Sequence, residues 1–336
     1  MSAIERLWYR TSALTLPLLP LTLLFGAVAS IRRGLFQAGW KQSVKLPVPV
    51  VVVGNITVGG AGKTPLTIAL VAGLRQLGYR PGIISRGYGG QIRGIAAVTP
   101  ASAPADVGDE PVLMAQRTGC PVFVGRDRAA AGRALLAEHP SCNILVCDDG
   151  LQHYRLQRDI ELCVVDTARA FGNGLLLPAG PLREPYRRLR RVSAVVLNGQ
   201  AEVATPASTP RFRMRLQGER FTNLADPALC ASASHFQSMR VVAVAGIGNP
   251  QRFFDHLKRL GIEAECHAFP DHHAYAPSDL AFPDADAILL TEKDAVKCCG
   301  AKDARIWALP VSAEVEPDLA QFVADTLRKM HGPQAA

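Results

Sequence analysis

The feature that most constrains this chain is a glycine-rich segment at residues 48–64, Val-Pro-Val-Val-Val-Val-Gly-Asn-Ile-Thr-Val-Gly-Gly-Ala-Gly-Lys-Thr. The valines at residues 50–53 predict a buried strand, and the apolar periodicity after Thr64 predicts a helix. A strand, a glycine loop, a Lys-Thr pair and a helix in this order form a phosphate-binding loop, in which backbone N–H groups and the helix N-terminus attract an anion. We therefore expect an α/β protein that binds a nucleotide.

Within this loop, residue types indicate separate roles. Lys63 is expected to reach the β- and γ-phosphates, and the hydroxyl of Thr64 is expected to hold Mg²⁺. The other positions predicted to bind the nucleotide are Thr57, Gly59, Gly60, Ala61 and Gly62. Thr57 stands where the general motif has its first glycine. The alternative interpretation is therefore a glycine-rich turn that happens to carry Gly-Lys-Thr.

Length and charge limit the classes of protein to consider. A chain of 336 residues is long enough for one large or two moderate domains, and an apolar content of 48% can fill their cores. The net charge of +8 indicates an anionic partner. We expect no nucleic acid, because no basic run interleaved with aromatic residues is present. Eight cysteines without a C-x-x-C pair indicate a reduced, cytosolic compartment.

Residues 11–31 contain no charged side chain and are rich in leucine, and their length is close to the ~20 residues needed to cross a bilayer. A signal peptide, a spanning helix and an anchor in the membrane surface are the alternatives. Pro17 and Pro20 argue against an uninterrupted span, and export would separate the phosphate loop from cytosolic ATP. The flanking Arg32 and Arg33 indicate a cytoplasmic side. An anchor or single span is favoured, and the choice between spanning and lying in the membrane stays open.

Carboxylates follow two of the predicted elements. Asp148 and Asp149 follow an apolar strand at residues 143–147, the position at which nucleotide kinases hold Mg²⁺. Adjacent carboxylates repel each other unless they share a cation or a proton, which argues against a solvated turn. Asp109 and Glu110 open a predicted helix, where they either cap the helix or accept a substrate proton.

A histidine pair lies in a loop near the end of the chain, at His272 and His273. Because no third ligand has suitable spacing, we prefer a histidine–carboxylate pair for acid–base chemistry to a metal site.

The predicted fold class is α/β, with a mostly parallel P-loop NTPase-like sheet covered by helices on both faces. A smaller second α/β domain and an N-terminal hydrophobic helix complete it. Residues 201–210 are rich in Ala, Thr, Ser and Pro and indicate a linker. We predict a membrane-associated segment at residues 1–34, a P-loop kinase domain at residues 35–200 and a C-terminal domain at residues 201–336, whose linker covers about 201–220.

Seven ordered motifs between residues 54 and 294 resemble the tetraacyldisaccharide 4′-kinases of lipid A biosynthesis. They are Gly-Asn-Ile-Thr-Val-Gly-Gly-x-Gly-Lys-Thr-Pro, Ser-Arg-Gly-Tyr-Gly, Gly-Asp-Glu-Pro, Asp-Asp-Gly-x-Gln-His, Leu-Arg-Glu-Pro, Phe-x-Asp-His and Thr-Glu-Lys-Asp. That family likewise carries Thr at the position of Thr57. The resemblance implies a monomeric enzyme that uses ATP and Mg²⁺ to phosphorylate the 4′-hydroxyl of an acylated disaccharide 1-phosphate, giving lipid IVA. It also implies work on the inner-membrane lipid surface, at its cytoplasmic face, in Gram-negative bacteria.

The resemblance also implies roles for individual residues. Asp109 would be the base toward the sugar hydroxyl, paired with His272 rather than His273. Asp149, with Asp148 beside it, would complete the metal site with Thr64. An arginine of residues 125–128 would contact phosphate, either Arg126 or Arg128. Further active-site positions are Gln152, His153, Arg183 and Glu184.

Two other classes fit parts of the sequence. A membrane-targeted ATPase or GTPase switch also uses Gly-Gly-x-Gly-Lys-Thr loops, but its signature lysine would stand at Val58. The spacing of residues 291–294, Thr-Glu-Lys-Asp, does not match the base-reading motif of a GTPase. A structural membrane protein with an inactive nucleotide fold is disfavoured by the intact Lys63 and Thr64.

Overall fold

The computed structural model describes residues 7–9, 13–298 and 300–332. The strands are β1 (Val50–Gly54), β2 (Pro81–Ser85), β3 (Ala96–Val98), β4 (Val122–Val124), β5 (Ile144–Asp148), β6 (Ile160–Asp166), β7 (Ala194–Asn198), β8 (Arg211–Gln217), β9 (Arg220–Asn223), β10 (Cys230–Ser232), β11 (Val241–Ala245), β12 (Ala264–Ala268), β13 (Ala287–Thr291), β14 (Ile306–Leu309) and β15 (Ser312–Glu316).

The α-helices are α1 (Leu19–Gln37), α2 (Lys63–Gln76), α3 (Pro104–Val107), α4 (Asp109–Thr118), α5 (Arg128–Glu138), α6 (Pro250–Arg259), α7 (Glu292–Lys297) and α8 (Leu319–His331). Short 3₁₀ segments cover Ala13–Leu18, Tyr186–Arg191, Ala233–Phe236 and Pro277–Leu280.

The larger sheet has nine strands in the order β15-β8-β7-β6-β1-β5-β2-β4-β3. The seven inner strands pair in parallel, whereas β15 and β3 are antiparallel edge strands. The valines of β1 alternate between two apolar clusters. Val51 and Val53 join the cluster beneath α2, α4 and α8, and Val50 and Val52 join the one beneath α5. Burial on both faces explains the continuous apolar run, and the predicted mostly parallel α/β sheet is confirmed.

The smaller sheet has six strands in the order β10-β9-β14-β13-β11-β12. Strands β14, β13, β11 and β12 are parallel, and β9 and β10 are antiparallel. We call residues 220–309 the small lobe and the part built on the larger sheet the large lobe. Strand β15 and helix α8 follow the small lobe in sequence but belong to the large lobe, because β15 pairs with β8 and α8 packs against α2. The division of the chain at residue 200 remains a prediction, and sheet membership does not follow it.

Helix α1 exposes most of its apolar surface. The segment Leu14–Gln37, which includes most of the preceding 3₁₀ turn, is long and apolar enough to cross a membrane. Only 6% of its most apolar stretch is buried. Pro17 lies in the 3₁₀ turn and Pro20 in the first turn of α1. Pro17 therefore precedes α1, and Pro20 lies where proline is tolerated. The sequence analysis expected both prolines to interrupt a helix, and neither interrupts α1. Parts of the predicted segments at residues 1–6 and 10–12, and the end of the C-terminal domain at residues 333–336, lie outside the described residues.

The contact between α2 and α8 predicts an effect on stability. A Cβ atom on Gly73 would lie 2.6 Å from the Cβ atom of Ala320. We expect Gly73→Leu to overpack this contact and to lower the free energy of unfolding by about 1–3 kcal/mol, as measured by urea unfolding in detergent. The matched control is Gly34→Leu in α1, where no atom lies within 4 Å of the added Cβ. Equal losses in the two variants would contradict the prediction.

Candidate active site

The phosphate loop joins β1 to α2, and its shape depends on glycine at two positions. Gly59 and Gly62 have φ angles of +103° and +94°, which side chains other than glycine rarely adopt. A Cβ atom on Gly62 would also collide with the side chain of Asn198. Gly62 is the residue that directly precedes α2, so the tight turn directs the loop's backbone toward the start of this helix.

Two buried amides hold the loop in place, and the sequence analysis assigned neither. Asn55 Nδ2 donates to Thr57 Oγ1 and to the carbonyl of Gly59, both at 3.4 Å. Asn198, at the end of β7, donates to the carbonyl of Ala61 at 2.9 Å. Asn55 and Asn198 are 0% and 2% exposed, so these hydrogen bonds are protected from competing water. Thr57 therefore helps to shape the loop through its hydroxyl.

Lys63 and Asp149 meet at the centre of the site. Lys63 Nζ lies 3.4 Å from Asp149 Oδ1 and 3.4 Å from Asn55 Oδ1. Arg183 NH1 lies 3.3 Å from Asp149 Oδ2. Burial alone would raise the pKa of Asp149, but the charges of Lys63 and Arg183 outweigh burial and lower it. The carboxylate is therefore ionised at neutral pH.

Asp148 lies next to this cluster in a different environment. Its side chain is 1% exposed and accepts hydrogen bonds from Thr67 Oγ1 at 3.4 Å and Ser85 Oγ at 3.5 Å. Burial, reinforced by the negative charge of Glu110, raises the pKa of Asp148 to about 7. Asp149 is therefore ionised more readily than Asp148. This difference agrees with the expectation that two neighbouring carboxyl groups share a cation or a proton.

Asp109 and His272 pair across the two lobes. His272 Nδ1 lies 3.0 Å from both carboxylate oxygens of Asp109. Burial would raise the pKa of Asp109, but the hydrogen bond with His272 and the charge of Lys293 lower it. For His272, burial favours the neutral ring, and the hydrogen bond with Asp109 prevails and raises the pKa. His273 pairs instead with Asp279, at 2.9 Å.

One cleft connects these groups to the hydrophobic helix. Its volume is about 1940 Å³, and Phe25, Val28 and Ala29 of α1 line it together with the phosphate loop and His272. Other predicted residues on its wall are Gly59, Gly60, Ala61, Gly62, Lys63, Thr64, Asp149, Gln152, Arg183 and Glu184. Asp109, which is 4% exposed, lies behind His272. An apolar wall and a phosphate-binding wall therefore face the same space.

Besides Asp109, five predicted site residues lie around the cleft rather than on its wall: Thr57, Arg126, Arg128, His153 and Asp148. The guanidinium of Arg128 is buried and donates to the carbonyls of Arg126 and Asp149, at 3.2 and 3.3 Å. Arg128 thus supports the turn at Asp149, and Arg126 is exposed. Burial and the nearby charge of Arg128 lower the pKa of His153 to about 4, so its ring is neutral.

Glu184 and Gln152 brace the phosphate loop from below. Gln152 Nε2 donates to the carbonyl of Asn55 and to Glu184 Oε2, both at 3.0 Å. Tyr154 OH donates to Glu184 Oε1. The backbone N–H groups of Val58 and Arg183 complete the contact between the loop and residues 181–183. The side chains of Gln152 and Glu184 therefore position backbone groups of the nucleotide site.

The donor set around Asp149 fits a magnesium ion. Mg²⁺ prefers oxygen ligands and is bound by one or two carboxylates together with substrate phosphates and water. Asp148, Asp149 and Thr64 supply carboxylate and hydroxyl oxygens beside the phosphate loop. Among the described residues, no group of three His, Cys, Asp or Glu side chains could hold a metal ion.

The parallel sheet, the phosphate loop at its carboxyl edge and the buried acid–base pair define a P-loop phosphotransferase. The family model described as Tetraacyldisaccharide-1-P 4'-kinase matches residues 14–328. This chain belongs to that family.

Individual relatives agree with the family model. The tetraacyldisaccharide 4'-kinase of Chromobacterium violaceum is 51% identical, over 99% of this chain and 100% of the relative. That of Azoarcus sp. (strain BH72) is 50% identical, over 97% and 95%. A crystal structure of LpxK from Aquifex aeolicus in complex with ATP has a TM-score of 0.80 and 32% identity, covering 93% of this chain and 99% of that one. The predicted family, fold class and kinase function are confirmed.

The Asp109–His272 pair should stabilise the fold within a defined pH window. Because the pKa of Asp109 is lowered, its contribution is present above the unfolded value of about 4 and is lost as the pH falls through the folded value. Because the pKa of His272 is raised, its contribution is complete below the unfolded value of about 6.5 and is lost as the pH rises through the folded value. His272→Gln should therefore lose roughly 2 kcal/mol of unfolding free energy near pH 5.5 and much less near pH 9.

Urea unfolding in detergent at both pH values measures this difference. His235→Gln provides the control for replacing a histidine whose ring contacts Phe236 and Trp307, and the loss in His272→Gln is compared with it at each pH. A loss in His272→Gln that does not depend on pH would show that the pairing of charges is unimportant.

Proposed function

We propose that this chain transfers the γ-phosphate of ATP to the 4′-hydroxyl of a tetraacyldisaccharide 1-phosphate and yields lipid IVA. The observation that carries the proposal is the single cleft, in which apolar residues of α1 face the phosphate loop and the Asp109–His272 pair. A lipid-borne alcohol needs both an apolar surface for its acyl chains and a base near the transferred phosphate. A nucleotide switch without a small-molecule acceptor needs neither of these.

The proposal assigns residues to each step. Lys63 and the loop N–H groups would hold the β- and γ-phosphates. Thr64, Asp148 and Asp149 would hold Mg²⁺, which would supply positive charge beside the phosphates. Asp109 acts as the base toward the 4′-hydroxyl through His272, which lies between the carboxylate and the cleft and passes the proton to it as the oxygen attacks. Because His272 hydrogen-bonds the ionised Asp109 and reaches the cleft wall, it orients the carboxylate and connects it to the acceptor.

Phosphate contacts from arginine complete the proposed site. Arg183 lies on the cleft wall beside Asp149. Its guanidinium can exchange the carboxylate for a phosphate oxygen when a nucleotide enters. Of the two alternatives at residues 126 and 128, we favour Arg126 for contact with phosphate, because Arg128 is already bound to two backbone carbonyls. Gln152, His153 and Glu184 then act through the shape of the loop and of the turn at Asp149.

We propose that the chain works as a monomer at the cytoplasmic face of the inner membrane. Helix α1 is exposed, apolar and continuous with the cleft. The ATP that the phosphate loop binds is cytosolic, and Arg32 and Arg33 at the cleft end of α1 match the cytoplasmic flank of a membrane helix. The substrate could then pass from the bilayer along α1 into the cleft.

Loss of Lys63 or Asp109 should abolish transfer. We expect Lys63→Ala and Asp109→Asn each to lower kcat by about 10²-fold or more, because one removes charge at the phosphates and the other removes the base. The measurement is transfer of labelled phosphate from ATP to the acylated disaccharide 1-phosphate in detergent. Exposed residues provide the controls Lys258→Ala and Asp284→Asn, for which we expect activity within twofold of the wild type. Hydrolysis of ATP without a doubly phosphorylated lipid would favour the nucleotide switch.

Charge on the exposed face of α1 should weaken membrane binding. Leu23 and Leu24 are 75% and 61% exposed, and each arginine placed in hydrocarbon costs about 2.5–3.5 kcal/mol. We expect Leu23→Arg/Leu24→Arg to shift the chain from the floating to the soluble fraction in vesicle flotation. Leu229→Arg, at an exposed leucine of the small lobe, should float like the wild type. Unchanged flotation of the double variant would show that α1 does not bind the membrane.

A further inference from the structure

We propose that Lys293 is a positioning residue for phosphoryl transfer, whose one ammonium group binds carboxylates of both lobes and so holds the Asp109–His272 pair in its reactive arrangement. The inference rests on the proposed function of the site. It assigns a role to the Thr-Glu-Lys-Asp motif at residues 291–294, which the mechanism above does not use.

Three carboxylates lie around the ammonium group of Lys293. Its Nζ atom lies 3.0 Å from Glu110 Oε1, 3.2 Å from Asp271 Oδ1 and 3.9 Å from Asp109 Oδ2. Asp109 and Glu110 begin α4 of the large lobe, whereas Asp271 directly precedes His272 in the small lobe. The side chain of Lys293 is 16% exposed. The ammonium therefore lies between the two lobes at the point where the acid–base pair forms.

Electrostatics explains why a cation is needed there. Three carboxylates around one ammonium group repel one another, and the repulsion is least screened at Asp109, which is 4% exposed, whereas the side chain of Asp271 is 35% exposed. Without Lys293, this repulsion would separate Asp271 from Asp109 and Glu110, or one of the acids would take up a proton. Either change would disturb Asp109, because His272 follows Asp271 in the chain. Removing the cation would also leave the buried charge of Asp109 less compensated, which is costly.

The surroundings of the pair are mixed in charge. The groups that face Asp109 are His272, Lys293, Lys297 and the neighbouring Glu110. Those that face His272 are Asp109, Asp271, Lys293 and the ring of Tyr88, whose centroid lies 4.9 Å from that of the imidazole. Lys297 is itself paired with Asp294 at 2.7 Å. Lys293 is thus the cation common to both members of the pair.

The direction of the effect follows from charge alone. A positive charge disfavours protonation of any neighbour, and Lys293 lowers the pKa of both Asp109 and His272. Its loss should therefore raise the apparent pKa of the pair, whichever residue takes up the proton. The acidic limb of the pH–rate profile should move to higher pH.

The test compares Lys293→Met with Lys293→Arg and with a control at Arg117. Lys293→Met should lower kcat at least tenfold and move the acidic limb of the kcat and kcat/KM profiles upward by about one pH unit. Lys293→Arg retains the charge and should restore the position of the limb. Arg117 also joins the two lobes. Its NH1 atom lies 2.6 and 2.7 Å from the two carboxylate oxygens of Glu292, the residue that precedes Lys293 in the sequence. Arg117→Met should therefore change the rate without moving the limb.

A second measurement does not depend on activity. The imidazole Cε1 resonance of His272, assigned with His272→Gln, should titrate at higher pH in Lys293→Met than in the wild type. If Lys293→Met does not fold, Lys293→Gln, which also lacks the charge but keeps a polar side chain, takes its place, and the same upward shifts are expected. A wild-type chain that transfers no phosphate would disprove the proposed function, and the resonance would still decide the role of Lys293. Unmoved titration and profile, or an equal shift in Arg117→Met, would overturn the inference.

Discussion

Charge balance at the carboxyl edge of the larger sheet is the constraint on which this active site depends. The strands β1 and β5 both end there, so the phosphate loop and the Asp148–Asp149 pair are brought together by the parallel pairing of the two strands. Lys63 and Arg183 neutralise Asp149. These ion pairs fix the orientation of the three side chains beside the phosphate loop.

The small lobe completes the site because it supplies charge of the opposite sign at several points. Lys293 contacts the acids at the start of α4, and Arg252 of α6 binds Asp166 of the large lobe at 2.6 Å. At the phosphate loop itself the two backbones meet, since a Cβ atom on Gly248 would lie 2.7 Å from the N atom of Gly60. A glycine at residue 248 therefore permits an approach that a larger residue would block. These contacts therefore fix the position of the small lobe relative to the phosphate loop.

Local patterns predicted much of the fold, and long-range pairing did not follow from them. The apolar runs at residues 50–53 and 143–147 correspond to β1 and β5, and the helix predicted after Thr64 is α2. The return of β15 to pair with β8 could not be predicted, because no periodicity in Ser312–Glu316 identifies its partner. Likewise, Lys63 and Asp149 were predicted from a loop and a strand end. The roles of Asn198 and Lys293 arise only when distant segments converge, whereas Asn55 binds Thr57 and Gly59 of its own loop.

The position of the cleft relative to α1 explains why a kinase for a lipid can retain an ordinary nucleotide loop. A soluble acceptor reaches a phosphate through water, whereas acyl chains must stay in contact with an apolar surface to avoid the cost of hydration. Phe25, Val28 and Ala29 extend such a surface from the exposed helix to the cleft wall, and Arg32 follows at the same wall. In the function proposed above, the sugar would approach His272 while its chains remain against α1. Specificity for a lipid would then depend on the position of α1, and the phosphate loop itself would need no change.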